Sequence, residues 1–325
     1  MKRQGTTGGT EFINDNFSMP TRYFDEYTFE EIENISGHAV EEKKYTKEAC
    51  SVCAFACKLP TRDEETGTET EGPEFETLMS FGSNAGVGEL SSIMKSNDRC
   101  DKLGMDTIST GNTIAAYLAS EDEFGNEDLV HELIEKIAHR EGIGDTLAEG
   151  IARCHDTLGV KDFTVKGLDF SAHDGRKLHG TALSYGVASQ GGDHMYASIH
   201  NPQYSGELDP TSLDEMPAKL IEHENRNAIR DSAIVCEFSD KGYVTNDHLE
   251  TLFDVEYGRL QAIGARVVEL ERHFLNRRGV DHSDDTLPYE IPGLDKALET
   301  YYDLRGWNND GTVPPEKLPG ELSGT

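Results

Sequence analysis

Gly258-Arg-Leu-Gln-Ala-Ile-Gly-Ala-Arg-Val-Val-Glu-Leu-Glu-Arg-His-Phe-Leu-Asn-Arg277 is the most regular stretch of the chain. Leu260, Ile263, Val267, Leu270 and Phe274 recur at three- and four-residue spacing, the period of a helix with one apolar face. Working outward, 294–305 repeats the pattern and is stopped by Gly306. Upstream, 128–141 puts Leu129, Leu133, Ile134 and Ile137 on one face, and Asp145–Leu158 reads as another helix with Asp145 as its N-cap. A short helix is expected to start at Thr28, with Glu31 completing a capping box. Phe163–Phe170 is the one convincing strand. Residues 1–27, the polar run 58–73 and the Gly/Pro-rich tail 308–325 read as loop. The chain is therefore mostly α, with long loops that carry its unusual residues, and such loops are often functional. There is no internal repeat.

The chain has 325 residues, enough for about two domains. Only 36% of residues are hydrophobic, and 61 acids against 30 Lys and Arg give a formal charge of −31. That charge argues against nucleic acid or an anionic membrane as partner, since both repel it. The acids are dispersed along the whole chain, as suits a halophile, a cell whose salty interior screens self-repulsion. No run approaches the ~18 apolar residues of a membrane span, and the N-terminus lacks the apolar core of a signal peptide. A cytoplasmic location is expected.

Chemistry concentrates in the loops. Cys50-Ser-Val-Cys53-Ala-Phe-Ala-Cys57 sets three thiols within a few residues, a C-x2-C-x3-C pattern that suits one metal centre with a fourth ligand from elsewhere. Spacing alone leaves both an iron–sulfur cluster and a structural zinc open. Cys154 falls inside an amphipathic helix and reads as a buried thiol. Cys100 and Cys236 both remain as the fourth ligand. Two further segments begin with aspartate and carry a notable residue five positions on, Asp101-Lys-Leu-Gly104-Met-Asp106 and Asp231-Ser-Ala-Ile-Val-Cys236. A carboxylate there can accept from paired N–H donors of a heterocycle, or can serve only as a turn residue. Ser189-Gln-Gly-Gly-Asp193-His194 combines a close-approach glycine pair with a titratable histidine. Gly72-Pro-Glu-Phe-Glu-Thr77 brings two carboxylates just past the cysteines.

Taken together, these runs resemble the aldehyde ferredoxin oxidoreductase family of tungsten–pterin enzymes. The resemblance extends through Cys100–Gly111, Arg140–Asp145, Leu147–Arg153, Val165–Leu168, Arg272–Asn276, Asp284–Pro288 and Tyr301–Trp307, in matching order. It implies two helical domains like domains 2 and 3 of that family, expected at 1–165 and 166–325, with the N-terminal β-rich domain absent. It implies a [4Fe–4S] cluster on Cys50, Cys53, Cys57 and Cys236. It also implies a tungsten, or molybdenum, bis-pterin gripped by Asp101, Gly104, Asp106 and Asp231. Glu76 and His194 would stand beside the metal as catalytic groups, with Glu74 the rival of Glu76. The implied activity is oxidation of an aldehyde to a carboxylic acid, with electrons leaving through the cluster to ferredoxin. Either a separate polypeptide supplies the N-terminal domain or the chain is a truncated copy; the sequence leaves the oligomeric state open, a homodimer included. The other expectation is a non-catalytic remnant, or an electron-transfer or structural subunit with a cluster or zinc. The chain departs from the pattern at Ile234, where glycine is common, and at His173-Asp-Gly-Arg-Lys177, where Pro-Arg-Gly is common.

The charge balance yields a first prediction. The screening length falls from ~10 Å at 0.1 M salt to ~3 Å at 1 M, so the melting temperature should rise markedly between about 0.1 and 2 M KCl. A near-neutral protein at matched ionic strength controls for the general effect of salt on apolar burial. An equal gain in both proteins would show that charge is not the cause.

Overall fold

The computed structural model describes residues 3–51, 53, 55–240 and 244–319. Fourteen α-helices among these residues dominate, joined by short 3-10 turns and two small antiparallel strand pairs. This is the expected mostly α architecture. The chain divides into two compact units, Met1–Asp174 and Gly175–Thr325. No helix among the described residues is long and apolar enough to cross a membrane.

The first unit is built on Leu90–Leu103, Thr107–Glu121 and Glu127–His139. Ile93, Met94, Ile114, Leu118, Leu133 and Ile134 from these helices are fully buried. Each helix starts on a side-chain cap: Glu89 accepts from Ser91 N–H, Asp106 from Ser109 N–H and Asn126 from Leu129 N–H. Ahead of them, the short helix Phe75–Leu78 runs into a π-helical turn, Met79–Ser83, whose five residues are all buried. Gly111 lets the Thr107–Glu121 helix press on that turn, because a Cβ there would sit 2.7 Å from the Ser80 Cβ.

The second unit gathers His179–Val187, Met216–Ser232, Tyr257–Asn276 and Leu294–Arg305 around Leu183, Leu220, Val268, Tyr301 and Trp307. Two buried ion pairs cross this core. Arg272 forks onto both oxygens of Asp285 at 2.8 Å each, and Tyr302 Oη donates to the same carboxylate. Arg305 pairs with Glu224, which also accepts from Tyr301 Oη at 2.8 Å.

Several sequence expectations are corrected. Asp145–Leu158 is two helices, Ile143–Leu147 and Ile151–Leu158, broken at Gly150, whose φ of 79° no helix accommodates. Phe163–Phe170 is not one strand. Thr164–Val165 pairs with Leu168–Asp169 across a Lys166-Gly167 turn with both φ positive, the geometry of a tight hairpin. The polar run 58–73 contains a second strand pair, Pro60–Arg62 with Glu69–Glu71. No helix starts at Thr28; a 3-10 turn begins at Ile32. Part of the N-terminal loop is helical, over Thr10–Asp15. The helix read at 258–277 is present as Tyr257–Asn276, but its inward face is Leu260, Gly264, Val268 and Arg272, while Ile263 and Phe274 are exposed. Glycine and arginine score as non-core in any apolar pattern. Here Gly264 faces inward because a neighbouring helix lies against it, and Arg272 because Asp285 pairs with it. The described part of the tail holds only a 3-10 turn, Pro315–Lys317, and 320–325 lie outside the described residues.

Gly264 gives a sharp test. A Cβ at that position would lie 2.1 Å from the Asn225 carbonyl oxygen, so the helix Met216–Ser232 must move to admit it. Gly264→Ala is expected to destabilise the second unit by about 2–3 kcal/mol, the cost of overpacking a tight backbone contact. Denaturant unfolding measures it, and a change below about 0.5 kcal/mol, the range of ordinary surface substitutions, would contradict the close approach.

Candidate cofactor site

The cysteine loop is closed at its base by pairing of Glu48 with Lys58, where Glu48 N–H donates to the Lys58 carbonyl at 3.3 Å. Inside it, Cys53 N–H donates to the Cys50 carbonyl at 3.0 Å, and Ala56 turns the chain with φ 46°. Cys50 and Cys236 are exposed, and Cys53 and Cys57 half-buried. Cys100 and Cys154 are fully buried in helices, and burial pushes their thiols up to about 12 and about 11. A metal ligand must be a thiolate. In the first unit, Cys50, Cys53 and Cys57 share one accessible loop and suit a metal centre, while Cys100 and Cys154 are core thiols; Cys236 is an exposed thiol of the second unit.

The two aspartate segments are built alike. Asp101 lies in the last turn of Leu90–Leu103, where Gly104 N–H donates to the Asp101 carbonyl and Met105 N–H to the Cys100 carbonyl. Asp231 lies in the last turn of Met216–Ser232, where Ile234 N–H donates to the Asp231 carbonyl and Val235 N–H to the Arg230 carbonyl. In each, the residue three after the aspartate is left-handed: Gly104 at φ 72°, Ile234 at φ 56°. This is the hydrogen-bond pattern of a helix ended by a left-handed cap. The carbonyls are satisfied by the turn, and both aspartates stay exposed. Partial desolvation raises both carboxyls, aided by Glu71 and Asp98 at Asp101 and by Asp193 at Asp231. The residues five positions on differ in role: Asp106 caps the next helix through Ser109 N–H at 2.7 Å, and Cys236 is an exposed thiol.

Glu76 sits in the first turn of Phe75–Leu78 and accepts from Ala172 N–H at 2.7 Å. A nitrogen of His173 lies within 4.8 Å of its carboxylate. Glu74 is engaged elsewhere, by the Thr6 hydroxyl, and burial raises its carboxyl. The motifs did not single out His173 as a site residue. Its only signal was that it departs from the family pattern.

In the second unit the loop 189–197 is pinned from two sides. Asn227 donates to the Met195 carbonyl at 3.0 Å, and Tyr196 Oη donates to Glu271 at 3.0 Å. Gly191, with φ 98°, allows the turn that precedes Asp193, whose carboxylate accepts from Met195 N–H at 2.8 Å. Desolvation pushes His194 down to about 4, so its imidazole is neutral at pH 7. The His200 ring lies 5.4 Å from it, centroid to centroid.

Ile234 is 94% exposed and holds a conformation that β-branched side chains resist. Ile234→Gly is expected to raise stability by about 1 kcal/mol, since it relieves the left-handed penalty and removes no packing. Equilibrium unfolding measures the change. A loss of stability would mean that the side chain is held by contacts the turn geometry does not provide.

The family model for aldehyde ferredoxin oxidoreductase, domains 2 and 3, matches residues 1–320. Among curated proteins, the tungsten-containing aldehyde ferredoxin oxidoreductase of Thermococcus kodakarensis is 33% identical, over 98% of this chain and 59% of its own length. The enzyme of the same name from Pyrococcus furiosus is 34% identical with the same coverage. A more distant relative, at 28% identity, is the aliphatic sulfonate oxidoreductase, WOR-like subunit, of Pyrococcus furiosus. Among solved structures, the active-site complex BamBC of benzoyl coenzyme A reductase with 1,5-dienoyl-CoA superposes with a TM-score of 0.76. It covers 96% of this chain and 59% of that one, and at 17% identity the likeness concerns the fold alone. The chain thus spans 59% of the length of the first two relatives. With the family model matched over residues 1–320 and the helical fold shared, the chain belongs to the aldehyde ferredoxin oxidoreductase family, where it corresponds to domains 2 and 3.

Proposed function

We propose that this chain is the cluster-bearing part of a tungsten-dependent oxidoreductase that converts an aldehyde and water to a carboxylate and delivers the electrons to ferredoxin. The observation that carries the reading is the repeated aspartate in the last turn of a helix. A carboxylate there meets the negative end of the helix dipole, which costs stability. Two copies of such an unfavourable arrangement, both exposed and both with raised carboxyls, suit a ligand that brings paired N–H donors. The amino-pyrimidine edge of a pterin is such a ligand. Asp101 with Gly104 and Asp106 would hold one pterin, and Asp231 the other.

A bound tungsten–bis-pterin would supply the two-electron chemistry, and a [4Fe–4S] cluster on Cys50, Cys53, Cys57 and Cys236 the one-electron exit. The protein's own groups handle protons and position. The Glu76 carboxylate, held by Ala172 N–H, would accept a proton from water or substrate. His194, neutral at pH 7, can donate one hydrogen bond and accept another, which suits orienting a carbonyl. The partners of this reading are a small aldehyde and ferredoxin.

The test begins with metal analysis and EPR of anaerobically reconstituted protein, where about four irons per chain are expected from one cubane cluster. Cys236→Ala should lose the signal and Cys154→Ala should keep it. One zinc per chain and no iron would overturn the cluster. Aldehyde-dependent dye reduction is expected only with the remaining domain present. A single lost transition-state donor already costs roughly 3–4 kcal/mol of barrier lowering. Failure of the complete complex to oxidise any aldehyde would overturn the activity.

A further inference from the structure

His173 is 7% exposed and lies against two consecutive residues of one short helix. The Phe75 ring centroid is 5.5 Å from the imidazole centroid. Glu76, the next residue, has a carboxylate oxygen within 4.8 Å of an imidazole nitrogen. The N–H of Ala172, which directly precedes His173, holds Glu76 Oε2 at 2.7 Å. The chain segment that places the imidazole therefore also places the carboxylate, and the Phe75 ring packs against the imidazole. A site needing only volume would take an apolar side chain, because a buried polar ring carries a desolvation cost. The other carboxylate of the segment, Glu74, is committed to Thr6, and Asp174 follows His173 in the chain.

We propose that His173 is the proton partner of Glu76, receiving the proton that Glu76 removes and so returning the carboxylate to its basic form. This rests on the oxidoreductase reading above. Oxidation of an aldehyde by water follows RCHO + H2O → RCO2− + 3 H+ + 2 e−, with the electrons passing to the iron–sulfur acceptor. One of those protons passes from water or substrate to Glu76, and then to His173 before exchange with solvent. His173 acts through Glu76 and is a positioning residue. An imidazole held beside a carboxylate is the arrangement by which buried acid–base pairs keep one proton in reach.

The test uses the chain free of cofactor, so it stands apart from the activity itself. Isotope-labelled histidine is titrated by NMR in the wild-type chain and in Glu76→Gln. The His173 pKa is expected to fall by at least about one unit in the variant, because the neighbouring carboxylate favours the imidazolium. Equal values within a few tenths would overturn the pairing. Should Glu76→Gln not fold, Glu76→Asp serves, and its retracted carboxylate is expected to cut the His173 shift. In the cofactor-loaded complex, His173→Gln should lower kcat at least tenfold, at the low edge of acid–base contributions, leave KM within about twofold, and remove one limb of the pH–rate profile. An unchanged kcat and profile would mean that His173 only fills space. Because the NMR result needs no tungsten, failure of the oxidoreductase reading and failure of the pairing are separable.

Discussion

An aspartate in the last turn of a helix faces a run of carbonyl oxygens with no N–H to balance them, and the candidate site depends on how this fold manages that conflict. At Asp101 and at Asp231 the chain turns left-handed three residues on, and the turn's own N–H groups satisfy the terminal carbonyls. The carboxylate is then not recruited as a cap and stays exposed. Glycine takes that turn without strain at position 104, while position 234 does so with isoleucine, at a local conformational cost. A locally unfavourable choice that recurs at both segments is what the proposed pterin grip would account for.

The second unit can carry that cost because its core is tied by charge as well as by apolar burial. Arg272 with Asp285 and Arg305 with Glu224 flank Trp307, the two guanidinium carbons lying 5.4 and 5.9 Å from its ring. Replacing such pairs by well-packed apolar residues is often neutral, but removing one partner costs about 3–5 kcal/mol. Glu224 lies on Met216–Ser232, two turns before Asp231. The buried pair therefore fixes the helix whose end presents the aspartate. A chain with 36% hydrophobic residues gains specificity of packing here from geometry that apolar contacts alone do not impose.

Long helices were legible in the sequence because their periodicity extends over several turns. Leu294–Arg305 begins and ends where the pattern and Gly306 place it. The errors share one cause, in that a local pattern carries no information on tertiary partners. Nothing in 258–277 announces that Arg272 turns inward to Asp285, and Gly150 inside an apolar run looks tolerable until its positive φ is seen. At the site, the cysteine spacing pointed to a metal centre but left Cys100 and Cys236 equal. Burial in a helix raises the Cys100 thiol, while Cys236 stays exposed. Nothing local singles out His173, because Glu76 is 97 positions away in sequence and only the folded unit brings the two together.

Under the proposed function, exposure would separate these groups by task. Cys50, Cys236, Asp101 and Asp231 are exposed, on loops and helix ends. His173 is enclosed beside Glu76, and desolvation keeps His194 neutral. Proton transfer gains from exclusion of bulk water, because each interaction is stronger in a low-dielectric surrounding. Binding of a large polar cofactor gains from access instead. The two demands conflict if they fall on the same residues. Under the proposed function they fall on different residues of the first unit, since Cys50 and Asp101 are exposed while Glu76 is half-buried and His173 buried.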